Sequence, residues 1–350
     1  MIHKKYIGAI LKAAGILSVA ILILRYPSQI AESNVNSINV CINSIIPSMF
    51  AFMVISTYIQ TSGIYTVLFR PALFIMRKLI KADDSMLSVF LLSLFGGYPI
   101  GVTLLSEMIA QNKNSPAINN TASTAASFCY CISPTFALIM LGQGVLGSTS
   151  AGAIIYISNI LSCLTMGVIV SRISALDTGM SITNQQSSIT DSINSATRSL
   201  LVICTVIIAF NTLLTCADCF LSEFGITIPT LLMGVFEISN LLKIDSVSVN
   251  LIPLISAIAS TGGICVLLQC MAIAGKSFQL GKFLIFRIPC SVMSAIYARI
   301  ILCFTDISVE ASSVSANYSY SFSANKIIVP VLIAMCIIIF YKTNKNTKKV

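Results

Sequence analysis

Seven long apolar stretches alternate along the chain with short polar or charged ones, and each is close to or above the roughly 20 residues that a membrane-crossing helix needs. They run from Tyr6 to Leu24, Ile38 to Ile59, Met86 to Ser106, Ser115 to Ser171, Ser199 to Ala217, Ser246 to Gly275 and Phe283 to Phe304, and a shorter one runs from Ile327 to Tyr341. Lys12 interrupts the first but lies near enough to its end to snorkel. A basic start before an apolar stretch also describes a signal peptide. No small-residue cleavage site follows, so the stretch reads as a membrane helix. The pattern predicts an all-α polytopic membrane protein of about eight spans.

Composition agrees. The 350 residues are 56% hydrophobic and 9% charged, against about 25% charged in soluble domains, so no water-exposed surface can be assembled from them. The net charge of +9 follows the loops and is no sign of nucleic-acid binding. The N-terminus, Arg70 to Lys81, Arg172 to Arg198, Lys276 to Arg287 and the C-terminal tail hold most of the Lys and Arg; Tyr26 to Ser37, Asp218 to Gly225 and Thr305 to Ala324 hold acids and no Lys or Arg. The positive-inside bias makes the first set cytoplasmic and the second external, with both termini cytoplasmic. The polar linker at 173–197 divides the remainder into a first half, 38–172, and a second, 198–304, of opposite orientation. Residues 1–37 supply an N-terminal helix and external loop, and 305–350 an external loop, a last helix and a basic tail.

Regularity fails where a spanning helix should be most uniform. The run Met86 to Ser106 contains Gly96, Gly97 and Pro99, followed by Thr103. Shifted by 166 residues, this stretch falls on Thr261 to Ala274, so that the Gly96-Gly97 pair coincides with Gly262-Gly263 and each pair precedes an apolar run with one polar member, Thr103 or Gln269. Glycine pairs and prolines free backbone groups, and lipid tolerates this only where the break is buried in protein or lines a cavity. Matched breaks in oppositely oriented halves fit an inverted-topology repeat; close helix packing is the simpler use of such glycines. The apolar run Gly225 to Leu242 carries an acid, Glu237, beside Ser239 and Asn240, and after Pro229 this reads as a re-entrant hairpin with the acid at its tip. Its counterpart in the first half, Ser127 to Phe136, predicts a discontinuity near Ser133, because Pro134 removes a helical hydrogen bond. Glu107, followed by Gln111 and Lys113, reads as the polar exit of its span.

These stretches together (FGGYPIG with Glu107 after it, SFCYCISPTF running into Gly142, Gly144 and Gly147, then GVFEISN and TGGICVLLQ) resemble the YlbJ-type sporulation integral membrane proteins, in order from about Ile38 to Phe304. The resemblance implies two Gate, or nucleoside recognition, domain repeats in a multi-pass cell-membrane protein of endospore-forming bacteria, with a transport-like fold. The chain departs from that family at Tyr130 and Cys131, where relatives tend to have asparagines. "Nucleoside recognition" is a domain label and names no ligand.

The expected function is a carrier or pore for a small polar solute, nucleoside-like or ionic, contacted by Gly96, Gly97, Pro99, Thr103, Ser133, Glu237, Ser239, Asn240, Gly262, Gly263 and Gln269. The alternative is a non-transporting scaffold for other sporulation membrane proteins. An enzyme is not expected: His3 is the one histidine, and there is neither an HExxH motif nor a pair of aspartates in the spans. The twelve cysteines lie mostly in apolar runs, where cysteine behaves as a small hydrophobe, so neither a metal nor a cofactor is expected.

Overall fold

Lipid offers no partner to backbone N–H and C=O groups, so a chain this apolar satisfies them within helices. The computed structural model describes residues 2–111, 116–174, 176, 188–244, 248–275 and 278–305, all within one compact unit, Met1–Ser313. The expected last span Ile327 to Tyr341, the basic tail, nearly all of the loop before them and most of the polar linker lie outside the described residues.

Among the described residues there is no strand. The helices are α1 (Ile2–Arg25), α2 (Pro27–Val40), α3 (Ile46–Thr61), α4 (Tyr65–Leu68), α5 (Arg70–Leu79), α6 (Asp84–Gly96), α7 (Tyr98–Gln111), α8 (Pro116–Ala125), α9 (Thr149–Ile173), α10 (Ile189–Ser222), α11 (Thr230–Phe236), α12 (Ile252–Thr261), α13 (Gly263–Ala274) and α14 (Leu280–Cys303). Residues Cys41–Ile45 and Thr135–Val145 widen into π-helix, and Ile238–Lys243 tightens into a 3₁₀ turn.

Four helical segments are long and apolar enough to cross a membrane: Thr149–Ile173, Ile189–Ser222, Val249–Ala274 and Leu280–Cys303. A fifth is the pair Lys12–Arg25 and Pro27–Asn43, bent by 95°. The chain is an all-α membrane protein. The distribution of side chains says the same, because large apolar residues face outward. On α14, Ile285, Ile288, Val292, Ile296 and Ile300 are exposed, while Arg287, Cys290, Ser291, Ser294 and Ala298 are buried. Small and polar residues let helix backbones approach and hydrogen-bond across the gap. Ser256 of α12 and Ser294 of α14 do so at 2.9 Å.

Three expectations change. Residues 26–37, read as an external loop, form most of α2. Pro27 opens that helix, where its missing N–H costs nothing, and Ser33, Asn34 and Ser37 then share a face against α10. Residues 189–197, read as the end of the linker, are the first turns of α10. Ser188 and Asp191 form a capping box there, satisfying two otherwise orphaned N–H groups. Arg287, read with the basic loop Lys276 to Arg287, is fully buried inside α14.

Candidate functional site

Both glycine pairs break their helices. α6 ends at Gly96, Gly97 takes φ +86°, and α7 begins at Tyr98, with Pro99 in its first turn. α12 ends at Thr261, and Gly262 and Gly263 take φ +79° and +78° before α13 continues. These are left-handed conformations that side-chain-bearing residues rarely adopt. The other two discontinuities are also present: the chain is non-helical between α8 and Pro134, and Glu237 is extended between α11 and the 3₁₀ turn.

In each half the glycine break packs on the unwound segment of the same half. A Cβ added to Gly97 would stand 3.1 Å from the Ser133 Cβ. A Cβ on Gly263 would stand 3.2–3.3 Å from the carbonyls of Val235 and Phe236 and the N–H of Ile238, the residues flanking Glu237. The order along the chain differs between the halves: the unwound segment follows the glycine pair in the first and precedes it in the second. A single shift of the sequence therefore does not superpose both breaks.

The halves meet at a buried node that sequence reasoning missed. The Tyr98 hydroxyl donates to the Ala259 carbonyl, and the Tyr130 hydroxyl occupies the space that a Gly262 Cβ would need. The two tyrosine rings lie 4.8 Å apart, and the Arg287 guanidinium lies 4.6 Å from the centre of the Tyr130 ring. Arg287 donates to the carbonyl of Ser127 at 3.0 Å and to the carbonyl and hydroxyl of Ser260. No carboxylate pairs with it: the ion pairs among the described residues are Arg25–Glu223 and Arg77–Asp84. Its charge is offset instead by the carbonyl ends of α8 and α12, each equivalent to about half a negative charge. Little signal was available, because Arg287 is the fifth residue of the apolar run Phe283 to Phe304, where an arginine can snorkel to water.

Glu237 is 1% exposed, and no basic group pairs with it among the described residues. One carboxylate oxygen accepts from the Ser239 N–H at 2.8 Å and from the Ser239 hydroxyl; the other has no partner. Asn240 donates to the Glu237 carbonyl at 3.2 Å and to Asn211 of α10 at 3.5 Å. Asn211 begins a polar seam between α10 and α2, donating to Ser37 at 2.9 Å; Thr212 donates to Asn34 at 2.7 Å and Thr215 to Ser33 at 2.8 Å. Gln269, on α13, reaches the Ile203 carbonyl of α10 at 3.5 Å and Cys265 at 3.4 Å.

The contacts among the predicted residues fall as follows. Gly97 and Ser133 make one set; Glu237, Ser239, Asn240 and Gly263 make another; Gly262 belongs to the Tyr130–Arg287 node between the halves. Thr103 is buried on α7 with its hydroxyl unpartnered, and no hydrogen bond among the described residues joins it to Glu237. An open groove of about 320 Å³ between α2, α3 and α10 is separate in character, lined by Ile38, Ile42, Ile46, Leu200 and Leu201. Its apolar walls suit an acyl chain better than a polar solute. Among the described residues no three His, Cys, Asp or Glu side chains cluster as a metal site would require.

No protein-family model, curated protein or solved structure matches the chain.

Proposed function

We propose that the protein is a transporter-like membrane protein of sporulation, related to the YlbJ-type proteins, that carries a small polar solute past Glu237. In this reading the halves are inverted repeats of a Gate-type unit, about eight spans cross the cell membrane, and both termini are cytoplasmic. The observation that carries it is the carboxylate of Glu237: buried, without a basic partner among the described residues, and with one oxygen open. A buried polar group left unpaired costs about 1–3 kcal/mol, more when charged, and a closed structural acid would have that oxygen satisfied.

The surroundings support the reading. Glu237 sits in broken helix, where backbone groups and partial helix charges are available to a ligand. Ser239 and Asn240 can share a hydrogen-bonding solute with it. The Asn211–Ser37, Thr212–Asn34 and Thr215–Ser33 pairs form a run of exchangeable hydrogen bonds leading away from the site along α10.

Glu237→Gln keeps the shape and removes the charge. In a spore-forming host whose sole copy carries this change, heat-resistant spore counts fall while the level of the protein in the membrane holds. Normal counts at a normal protein level would remove Glu237 from the site and leave the scaffold reading in front.

A further inference from the structure

Two broken helices, one from each half, end at the same buried group. α12 stops one residue after Ser260, at the Gly262-Gly263 break, and α8 stops two residues before Ser127, where the chain unwinds. The carbonyls of Ser260 and Ser127 both accept from the Arg287 guanidinium, the first from one terminal nitrogen and the second, at 3.0 Å, from the other. The Ser260 hydroxyl accepts from the same group at 3.1 Å, the thiols of Cys163 and Cys290 each lie 3.5 Å from it, and the Tyr130 ring lies against it.

Arg287 is fully buried. A fully buried cation ordinarily has a paired anion, but the two ion pairs among the described residues do not include it. Its surroundings are carbonyls, a hydroxyl, two thiols and an aromatic face. Both terminal nitrogens are engaged, whereas Nε, the nitrogen nearest the stem, has no partner. The contacts therefore serve the charged head, and the stem only carries it there. Breaks in a lipid-embedded helix free carbonyls that need a partner, and in secondary transporters half-helix C-terminal ends and unwound carbonyls hold the coupling cation. Two such ends, each worth about half a negative charge, call for one positive charge.

We propose that the converging ends of α8 and α12 form a binding site for one monovalent cation, which the chain fills with its own Arg287 in place of a free ion. A guanidinium is charged at every pH a cell meets and cannot leave its stem, so this site neither fills nor empties. The two halves are joined here by a permanent charge, and dissolved sodium or potassium is not needed to hold them together. In the carrier reading, on which this last step rests, the junction is a fixed pivot and any driving ion binds elsewhere. The cation site itself does not depend on that reading.

The test empties the site and offers it a free cation. The full-length protein in detergent is unfolded by heat and followed with a thiol-reactive dye; eight of its cysteines are buried and become reactive only on unfolding. Arg287→Ala lowers the midpoint in choline chloride. Guanidinium chloride, replacing choline chloride at constant ionic strength, raises that midpoint saturably, by roughly 3 °C at about ten times the half-saturating concentration. It does not stabilise the wild type, whose site is full, and the rescue persists when Glu237→Gln is added to Arg287→Ala. A variant that gains nothing from guanidinium overturns the inference, as does an equal gain in the wild type. A gain lost on adding Glu237→Gln also overturns it, by placing the cation at the Glu237 carboxylate and leaving the carrier reading intact. If Arg287→Ala does not fold, the yields of monodisperse Arg287→Lys and Arg287→Gln decide the matter. The lysine keeps a charge at the carbonyl ends and gives a folded fraction about fivefold higher than the neutral glutamine; an equal or lower yield overturns the inference.

Discussion

Gly262→Ala tests the junction of the two halves directly, because its cost can be divided into two physical parts. The first is backbone strain. At φ +79° an alanine in left-handed geometry costs roughly 1–2 kcal/mol, of which about 0.4–1 kcal/mol returns through the stiffer unfolded chain. The second is space. The new methyl group meets the hydroxyl of Tyr130, whose ring is held between Tyr98, Phe283 and the Arg287 guanidinium and has little room to retreat; overpacking of this kind costs about 1–3 kcal/mol. The sum is roughly 1–5 kcal/mol. Gly225 supplies the control, since it has φ +72° with open space around it, so Gly225→Ala carries only the first part. Tyr130→Phe alone is neutral or stabilising, because it deletes a buried hydroxyl that has no partner. Combined with Gly262→Ala it recovers about 1–2 kcal/mol, a coupling that a double-mutant cycle isolates. Midpoints of thermal unfolding with the thiol-reactive dye, or denaturant midpoints, measure all four proteins. Additive effects of Gly262→Ala and Tyr130→Phe would refute the packing of Tyr130 on Gly262, and equal losses at Gly225 and Gly262 would refute the division into strain and space.

Arg287→Lys keeps the charge, but a single nitrogen cannot bridge the Ser127 and Ser260 carbonyls. Unfolding stability should fall by the worth of one or two charge-assisted hydrogen bonds, about 2–4 kcal/mol, and an unchanged midpoint would show that the guanidinium fork is not used. The Glu223 carboxyl is held below its ordinary range by hydrogen bonds from Tyr26 and Arg25. A depressed value stabilises the fold above the ordinary carboxylate range and loses that effect as pH falls through the lowered value. The difference in midpoint between wild type and Glu223→Gln should therefore be full at neutral pH and vanish in strong acid; a difference that grows on acidification would reverse the assignment. Thr190→Cys, exposed at the start of α10, should be labelled by an impermeant thiol reagent only after the membrane is opened, in a background whose reactive native cysteines are replaced. Labelling in intact cells would overturn the cytoplasmic placement of the linker.

Some properties belong to a helix alone, and those were legible along the chain. An apolar run commits its backbone to internal hydrogen bonds in lipid, so α9, α10 and α14 could be read directly. Gly96-Gly97 and Gly262-Gly263 remove the side chains that forbid a left-handed turn, and Pro134 removes a donor, so these breaks were legible. Glu237 stood out because a carboxylate among apolar residues is costly in any surroundings. Which partners these elements found depended on the folded chain. Glu107 and Arg287 each lie near the end of an apolar run, and a charge at that position can snorkel to water or turn inward with equal ease as far as its own helix is concerned. Glu107 turns inward because Ser195, 88 residues away, offers a hydroxyl. Arg287 turns inward because the carbonyl ends of α8 and α12 converge on it from opposite halves. The polar face of α2 likewise reads as a loop until Asn211, Thr212 and Thr215 are set against it. In each case the energy of placing a polar group in lipid depends on a partner distant in sequence, and only the folded chain brings that partner within hydrogen-bonding distance.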